Sequence, residues 1–327
     1  MGGGFQKITF MGFQFLILFG AFGLNLQAAI PPLPPPSFGE PAFGVLVLEE
    51  GDAPQWAETT RQISTALTAR FPVAFAYGLA DTDDMQRGIK ALEARRVKKI
   101  IVVPLFYSSS ANVMKEVRYL LGIGKNPSQS LFKTGQDLAG PPQKRLDIHT
   151  PVVLMPTLDF SPVLKKILLN RALSLRIDRK KENLVLVSES PNPPQEAKDW
   201  KERLSLLAGQ IQKRAGFKSA QAFLINEGNS QDETEKSEEA FKDDIRKLRL
   251  NGPVFILSTE LADDLLTQRL HRILSDLLVG YNGKTLLPNS LIVPWVLKSA
   301  EKGAKMGDMR KYKEKGSSGF MNFPKIR

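Results

Sequence analysis

The sequence contains no cysteine and only two histidines. The absence of cysteine excludes disulfides, thiolate catalysis, thiolate metal sites and a lipid-anchored N-terminal cysteine. His149 opens an apolar run and His271 lies at the margin of a leucine-rich helix face, so both are predicted to have structural or surface roles. A Gly-rich phosphate loop, a Ser/His/Asp set and the HxxE and CxxC patterns are also missing. Any chemistry must therefore depend on carboxylates, hydroxyls, amides or backbone groups.

Charge of one sign is in excess, since the formal net charge is +11. Six of these eleven charges come from residues 298–327, which carry nine Lys or Arg against three acids. No nucleic-acid recognition motif accompanies this basic tail, so no nucleic-acid partner is predicted. A solvated tail that contacts an anionic membrane surface fits the pattern better.

The N-terminal segment has the features of an export signal. Lys7 precedes an uncharged apolar run from Ile8 to Leu26, and Gln27-Ala28-Ala29 follows it. The pattern predicts a signal peptide at residues 1–29, although an uncleaved membrane anchor remains an alternative because the run is long. The protein is thus expected to be exported, either periplasmic or anchored facing the non-cytoplasmic side. Residues 30–43, with the sequence IPPLPPPSFGEPAF, are predicted to be a proline-rich linker.

From Gly44 onward, short apolar strands alternate with amphipathic helices, and after residue 182 the pattern begins again. The segments VLVLEEGDAPQW and LVLVSESPNPPQEAKDW occupy the same place in the two halves. This indicates an internal duplication and an α/β fold of two similar lobes, each a parallel sheet with helices on both faces. The predicted lobes are 44–178 and 183–298, followed by the tail 299–327. The acidic stretch 227–244 is predicted to be largely a solvated loop, since its spacing does not match a calcium loop.

The stretch GIKALEARRVKKIIVVPLFYSSSANVMKEV, residues 88–117, resembles the central part of the CbiX-type sirohydrochlorin cobalt and iron chelatases. LVLVSESP and YNGKTLLPNSLIVPWV continue the likeness in the second half. The resemblance implies a chelatase-like fold with flavodoxin-like strand order. It also implies a divalent metal, cobalt or iron, and a tetrapyrrole as ligands.

The family carries one histidine at the end of its first strand and another in the loop after its Pro-containing strand. Here those positions hold Glu50 and Asn112, and the second half has Glu189 at the place of Glu50 and Asn289 in LLPNS. Glu50 and Glu189 are the candidate catalytic bases and metal ligands. Their alternative role is that of solvated acids near helix starts.

Ser108, Ser109 and Ser110, together with Asn112, are the candidate ligand-binding residues. Three hydroxyls and the free N–H groups at a helix start suit the carboxylates of a tetrapyrrole or another anionic ligand. The alternative is that one serine caps the helix and the others face water.

Three functions therefore stay open at the level of sequence. The first is a chelatase relative without insertion activity that binds a divalent metal, a tetrapyrrole or another anionic ligand between its lobes. The second is an active metallochelatase, a lyase that uses Glu50 and Glu189. The third is a non-catalytic envelope protein that contacts a partner through its surface.

Overall fold

Strands rich in valine, isoleucine and leucine, separated by helical segments, form two parallel sheets in the computed structural model. The structure describes residues 42–51, 54–106, 112–127, 144–175, 178, 181–191, 194–226, 230–262 and 265–311. We call residues 42–175 the first half and residues 178–311 the second half. All of the described residues fall within one compact unit.

The strands and helices follow the alternation that the sequence predicts. The strands are β1 (Gly44–Glu49), β2 (Val73–Tyr77), β3 (Ile100–Pro104), β4 (Val152–Leu154), β5 (Asn183–Glu189), β6 (Ser219–Ile225) and β7 (Val254–Ser258). The helices are α1 (Pro54–Thr68), α2 (Thr82–Ala94), α3 (Asn112–Leu120), α4 (Pro162–Leu175), α5 (Pro194–Ala215), α6 (Gln231–Arg249), α7 (Leu265–Leu274) and α8 (Ile292–Ala304).

The two sheets share one strand order. The first sheet is ordered β2-β1-β3-β4 and the second β6-β5-β7, and every strand pair is parallel. The order of the first sheet is the flavodoxin-like order, in which ligands bind outside the carboxyl ends of the strands. The predicted fold class and the shared order of the two halves are therefore confirmed.

The place of a fourth strand in the second sheet is held by a single residue, Gly280. Its backbone bridges to Phe255 in the parallel sense. It accepts from the amide of Ile256 and donates to the carbonyl of Val254. A Cβ at position 280 would lie 2.4 Å from the Phe255 ring, so only glycine permits this approach.

Helices cover both faces of the first sheet. Successive residues of a strand point to opposite faces. On one face of β1, Leu46 contacts α2 at Gly88; on the other, Glu49 contacts α1 at Thr60. Both faces are thus shielded from water, which accounts for the nearly continuous apolar sequences of β1 and β3.

The last helix of each half packs on the sheet of the other half. Helix α8, from the end of the chain, lies on the first sheet, where a Cβ at Gly303 would lie 2.6 Å from Ile101 Cγ2. Helix α4, from the first half, packs on α5 and β7 of the second half. Because of this exchange, one hydrophobic core runs through both halves. A smaller cluster lies between the second sheet and α6 and α7. The exact limits of the predicted lobes stay predictions.

One sequence-based expectation for the second half is wrong. Residues 231–244 of the acidic stretch, which is predicted to be largely a loop, belong to α6, which begins at Gln231 with Ser230 as its N-cap. Acidic side chains near the N-terminus of a helix interact favourably with the helix dipole, so a charge-rich sequence can begin a helix.

No helix among the described residues has the length and apolar character needed to cross a membrane. The apolar run at residues 8–26 lies outside the described part of the chain.

Candidate functional site

The candidate site lies at the carboxyl ends of the strands, and its first element is the end of β1. Glu50, the predicted base and metal ligand, follows the last residue of β1 and is half-buried. The residue before it, Glu49, is the last residue of the strand and is fully buried. Two adjacent glutamates therefore have different environments, because the strand directs alternate side chains to opposite sides.

The carboxyl group of Glu49 contacts helix α1. Its Oε2 lies 2.5 Å from the hydroxyl of Thr60, and its Oε1 has no hydrogen-bond partner among the described residues. Burial raises the pKa of Glu49 to about 7, and the hydrogen bond with Thr60 opposes this rise. A carboxyl group removed from water is easier to protonate, because the charged form loses its hydration.

The hydroxyl of Thr60 faces two acceptors. Thr60 Oγ1 donates to Glu49 Oε2 and also lies 2.9 Å from the carbonyl oxygen of Trp56, and a hydroxyl has one proton to donate. Its support for the ionised carboxyl of Glu49 is therefore limited, and burial has the larger effect on the pKa. The end of β1 therefore holds a group that can exchange a proton near neutral pH.

Tyr77 ends the neighbouring strand, β2, opposite Glu49 in the register. Its side chain is partly exposed and stacks on Phe75 at a ring-centroid distance of 6.4 Å. Burial, followed by the charge of Glu49, raises the pKa of the Tyr77 phenol. Tyr77 thus adds a partly exposed aromatic ring to this end of the sheet.

The second half has a different set of residues at the equivalent place. Gly44 pairs with Ile100 and Leu48 with Pro104 in the first sheet; Asn183 pairs with Val254 and Val187 with Ser258 in the second. In this register Ser188 corresponds to Glu49 and Glu189 corresponds to Glu50. The equivalence expected for the candidate bases is therefore present in the backbone.

Ser188 is buried and bonded on two sides. Its hydroxyl accepts a hydrogen bond from Trp200 Nε1 at 3.1 Å and contacts Glu260 Oε1 at 3.4 Å. The same oxygen of Glu260 accepts from the backbone N–H of Glu189 at 3.0 Å. The end of β5 is thus fixed by a closed set of polar contacts.

The loop after β3 carries the remaining predicted residues. Asn112 is the first residue of α3 and is half-buried. Strand β3 neighbours β1, so Asn112 and Glu50 belong to the same edge of the first sheet, whereas Glu189 belongs to the edge of the second sheet. Ser108, Ser109 and Ser110 lie outside the described residues.

An ion pair joins the two edges. Lys115, one turn into α3, lies 3.5 Å from Glu196 near the start of α5. Burial raises the pKa of Glu196, and the charge of Lys115 opposes that rise. The N-terminal turns of α3 and α5 therefore lie next to each other. No sequence pattern indicates this ion pair. The burial of Glu49 was not predicted either, although the alternation of side chains along GVLVLEE is a signal for it.

A groove of about 390 Å³ lies beside this junction, between α4 and α5. Its polar part is the ion pair of Asp159 with Arg203, 3.2 Å apart. Its walls are apolar and include Leu206, one of the most exposed large apolar side chains.

The described residues offer little to a metal ion. Among them, no group of three or more histidine, aspartate or glutamate side chains lies close enough together to hold a metal ion. His149 is exposed beside Asp147, and His271 stacks near Tyr281 on the outer helix α7. The structural or surface roles predicted for both histidines fit these positions.

Comparison with known families agrees with this architecture. The sequence model of the CbiX family matches residues 44–175. The first half of the chain is CbiX-like. No curated protein sequence matches the chain.

Solved structures extend the likeness to both halves. SirB from Bacillus subtilis with Fe3+ has a TM-score of 0.57 at 13% identity, covering 80% of this chain and 96% of that one. The sirohydrochlorin chelatase SirB from Bacillus subtilis subspecies spizizenii in complex with cobalt has a TM-score of 0.53 at 12% identity, covering 80% and 95%. At these identities the likeness shows the fold alone: the chain has an architecture similar to that of the two SirB structures.

Proposed function

We propose that this CbiX-like protein binds a divalent metal ion or an anionic tetrapyrrole between its two strand edges without accelerating metal insertion. The observation that carries the proposal is the residue pair Glu50 and Asn112, which occupies the two positions where the family resemblance implies histidine. The chelatase fold supports the ligand class, since the two SirB structures are described with Fe3+ and with cobalt.

Metal insertion requires groups that remove the two pyrrolic protons of the macrocycle while the metal enters. Neutral imidazole can accept such a proton near pH 7 and can also bind the metal. An ordinary glutamate is already ionised at pH 7 and is a weak base, and an asparagine amide supplies no base. Losing a general base typically costs about 10²–10⁴-fold in rate, and here two positions are changed.

An active metallochelatase is the second candidate. It is favoured by the matching backbone positions of Glu50 and Glu189, one at the end of each sheet. Carboxylates placed in this way could bind a metal from both halves.

The absorbance spectrum of sirohydrochlorin mixed with Co2+ or Fe2+, with and without the full-length protein, separates these functions. We expect insertion at the rate seen in solution, together with a rise in melting temperature when either ligand is added alone. Insertion accelerated about a hundredfold or more, and lost in the double variant Glu50→Gln with Glu189→Gln, would establish the second candidate instead. If neither metal nor macrocycle shifts the melting temperature, the non-catalytic envelope protein remains.

Restoring histidine tests the positions directly. In the double variant Glu50→His with Asn112→His, we expect measurable insertion, because both positions lie at the same edge of the first sheet. The matched control is Glu239→His with Asn251→His, which adds two histidines at exposed positions away from the strand ends. Equal rates in the two double variants would contradict the assignment of Glu50 and Asn112 to the site.

We also propose that the protein acts on the non-cytoplasmic side, as the apolar segment at residues 8–26 suggests. N-terminal sequencing of the native protein is expected to begin after Ala29, and an intact Met1 on a cytoplasmic protein would refute it.

A further inference from the structure

Among the residues that the structure describes, a buried arginine at the carboxyl end of the second sheet has no acidic partner. Arg171 belongs to α4 and is 8% exposed. Its guanidinium donates to the carbonyl oxygen of Ser258, the last residue of β7, at 2.8 Å, and to that of Lys284. Arg171 is therefore held at the end of the sheet where parallel α/β proteins bind their ligands.

Within the described part of the chain, the hydrogen-bond partners of the Arg171 guanidinium are two carbonyl groups. Its Nε has no hydrogen-bond partner there, and no carboxylate there forms an ion pair with it. A guanidinium has five N–H donors, so two carbonyls leave the larger part of its donor capacity unused. An arginine taken out of water normally has a carboxylate or phosphate partner, because carbonyl dipoles do not neutralise its charge.

Two arginines of the second half differ from Arg171 in this respect. Arg269, in α7, is also partly buried, and its Nε donates to Glu238 at 2.9 Å. Arg203, in α5, is paired with Asp159. The protein therefore supplies carboxylates to its partly buried arginines elsewhere, and Arg171 is the exception among these three.

The loop beside Arg171 is fixed by hydrogen bonds on two sides. The amide of Leu286 donates to the carbonyl of Glu260 at 2.8 Å, and that of Leu287 to the carbonyl of Leu261 at 2.7 Å. The bond from Arg171 to the carbonyl of Lys284 holds the same loop from the other side. Tyr281, at the start of this loop, interacts electrostatically with the guanidinium. The guanidinium therefore lies next to residues 281–287, and so would an anion bound to it.

We infer that Arg171 is an oxyanion-binding residue, and that the group it binds at the end of the second sheet is a phosphate-type anion or the carboxylate of an organic ligand. Both have the oxygen geometry that a guanidinium recognises. The inference goes beyond the proposed function, since it does not depend on a metal or on insertion.

Melting temperatures of the full-length protein test the inference. The probes are 20 mM sodium phosphate and 20 mM sodium acetate, each compared with sodium chloride at equal ionic strength. A site with a Kd of about 1 mM should raise the melting temperature by about 3 °C. A rise with phosphate alone assigns a phosphate-type anion, and a rise with acetate assigns a carboxylate.

In the variant Arg171→Gln, the anion should no longer raise the melting temperature. The control Arg269→Gln, which removes an arginine paired with a carboxylate, should be less stable than the unmodified protein but should still show the rise with the anion. A purely structural Arg171 would predict the opposite for its variant: a lower melting temperature with the anion effect unchanged. That result, or the absence of any rise in the unmodified protein, would overturn the inference.

Hydrogen exchange in the unmodified protein covers the case in which Arg171→Gln does not fold. The bound anion should slow the exchange of the Leu286 and Leu287 amides at least about threefold, since ligand binding suppresses the opening that exchange requires. Amides of α6 serve as the internal control. Equal exchange with phosphate, acetate and chloride would refute the inference.

Discussion

The ends of β1 and β5 occupy the same place in two sheets of the same strand order, but they have opposite polar chemistry. In the first half, the buried position holds Glu49, whose carboxyl has Thr60 as its hydrogen-bond partner. In the second half, it holds Ser188, which is bonded to Trp200 and contacts Glu260. One end carries a group that titrates near neutral pH, and the other carries a group that does not titrate.

The difference indicates that the two strand ends are suited to different tasks. A buried carboxyl with an unpartnered oxygen is costly unless it is protonated, whereas a serine bonded to a tryptophan is inexpensive to bury. The two strand ends therefore share a backbone arrangement and differ in their side chains. Arg171 adds to the difference, since it donates to the end of β7 in the second sheet.

The largest effect that we expect from this difference is a pH dependence of stability due to Glu49. Its pKa is about 7 in the folded protein and near 4.5 when unperturbed. Below pH 4.5 the group is protonated in both states, and between pH 4.5 and 7 the folded state holds a proton that the unfolded state has lost. The stabilisation due to Glu49 is therefore complete below pH 4.5. Its loss as the pH rises to 7 lowers the unfolding free energy by about 3 kcal/mol.

Urea unfolding of the protein and of Glu49→Gln at pH 4.5 and pH 7.5 measures this contribution. The glutamine amide cannot titrate. Between pH 4.5 and pH 7.5, the unfolding free energy of Glu49→Gln should therefore fall by about 3 kcal/mol less than that of the unmodified protein. Parallel profiles would show that Glu49 is ionised in the folded protein, and the contrast between the two strand ends would disappear.

Much of the fold could be predicted from the sequence because its signals are local. The β-branched runs and the helical spacing of apolar residues gave both halves, and Pro162 marked the start of α4 correctly. The exchange of α4 and α8 between the halves could not be predicted. It depends on close packing such as that of Gly303 on Ile101, and the sequence does not indicate which glycine meets which side chain.

The candidate site was predicted only in part. The sequence located the strand end at Glu49 and Glu50, but adjacent acids in a row are typical of solvated loops. Burial of the first one depends on a single residue of register. Arg171 gave no signal at all, since an arginine among the apolar residues of α4 looks the same whether or not a carboxylate lies nearby.

A moderate effect is expected at the second strand end. In Ser188→Ala, Trp200 Nε1 loses its partner while remaining buried, so the protein should be destabilised by about 1–2 kcal/mol. Urea unfolding at pH 7 measures the change. Ser205→Ala is the matched control. The Ser205 hydroxyl donates to the carbonyl oxygen of Lys201 on the exposed side of α5, the helix that carries Trp200. It should contribute a few tenths of a kcal/mol at most. If both variants lose the same amount, the bond at the end of β5 contributes nothing specific.

The smallest effect is expected at the ion pair that joins the two strand edges. Lys115 is 57% exposed and Glu196 is 12% exposed, so Lys115→Met should cost about 0.5 kcal/mol or less, and high salt should abolish the loss. A stability change this small cannot establish that the helix starts meet. The protonation of Glu196 is the better measurement: burial raises its pKa and Lys115 opposes the rise.

Without Lys115, the pKa of Glu196 should therefore move further upward, which NMR titration of the glutamate side-chain carboxyl signals can detect. Lys247→Met is the matched control, since it removes a lysine paired within one helix, 3.3 Å from Asp244, and should leave Glu196 unchanged. An unchanged Glu196 titration in Lys115→Met would mean that α3 and α5 do not meet in solution. The two strand ends would then have to be treated as separate sites, one protonatable and one fixed, because no contact would bring a ligand of one within reach of the other.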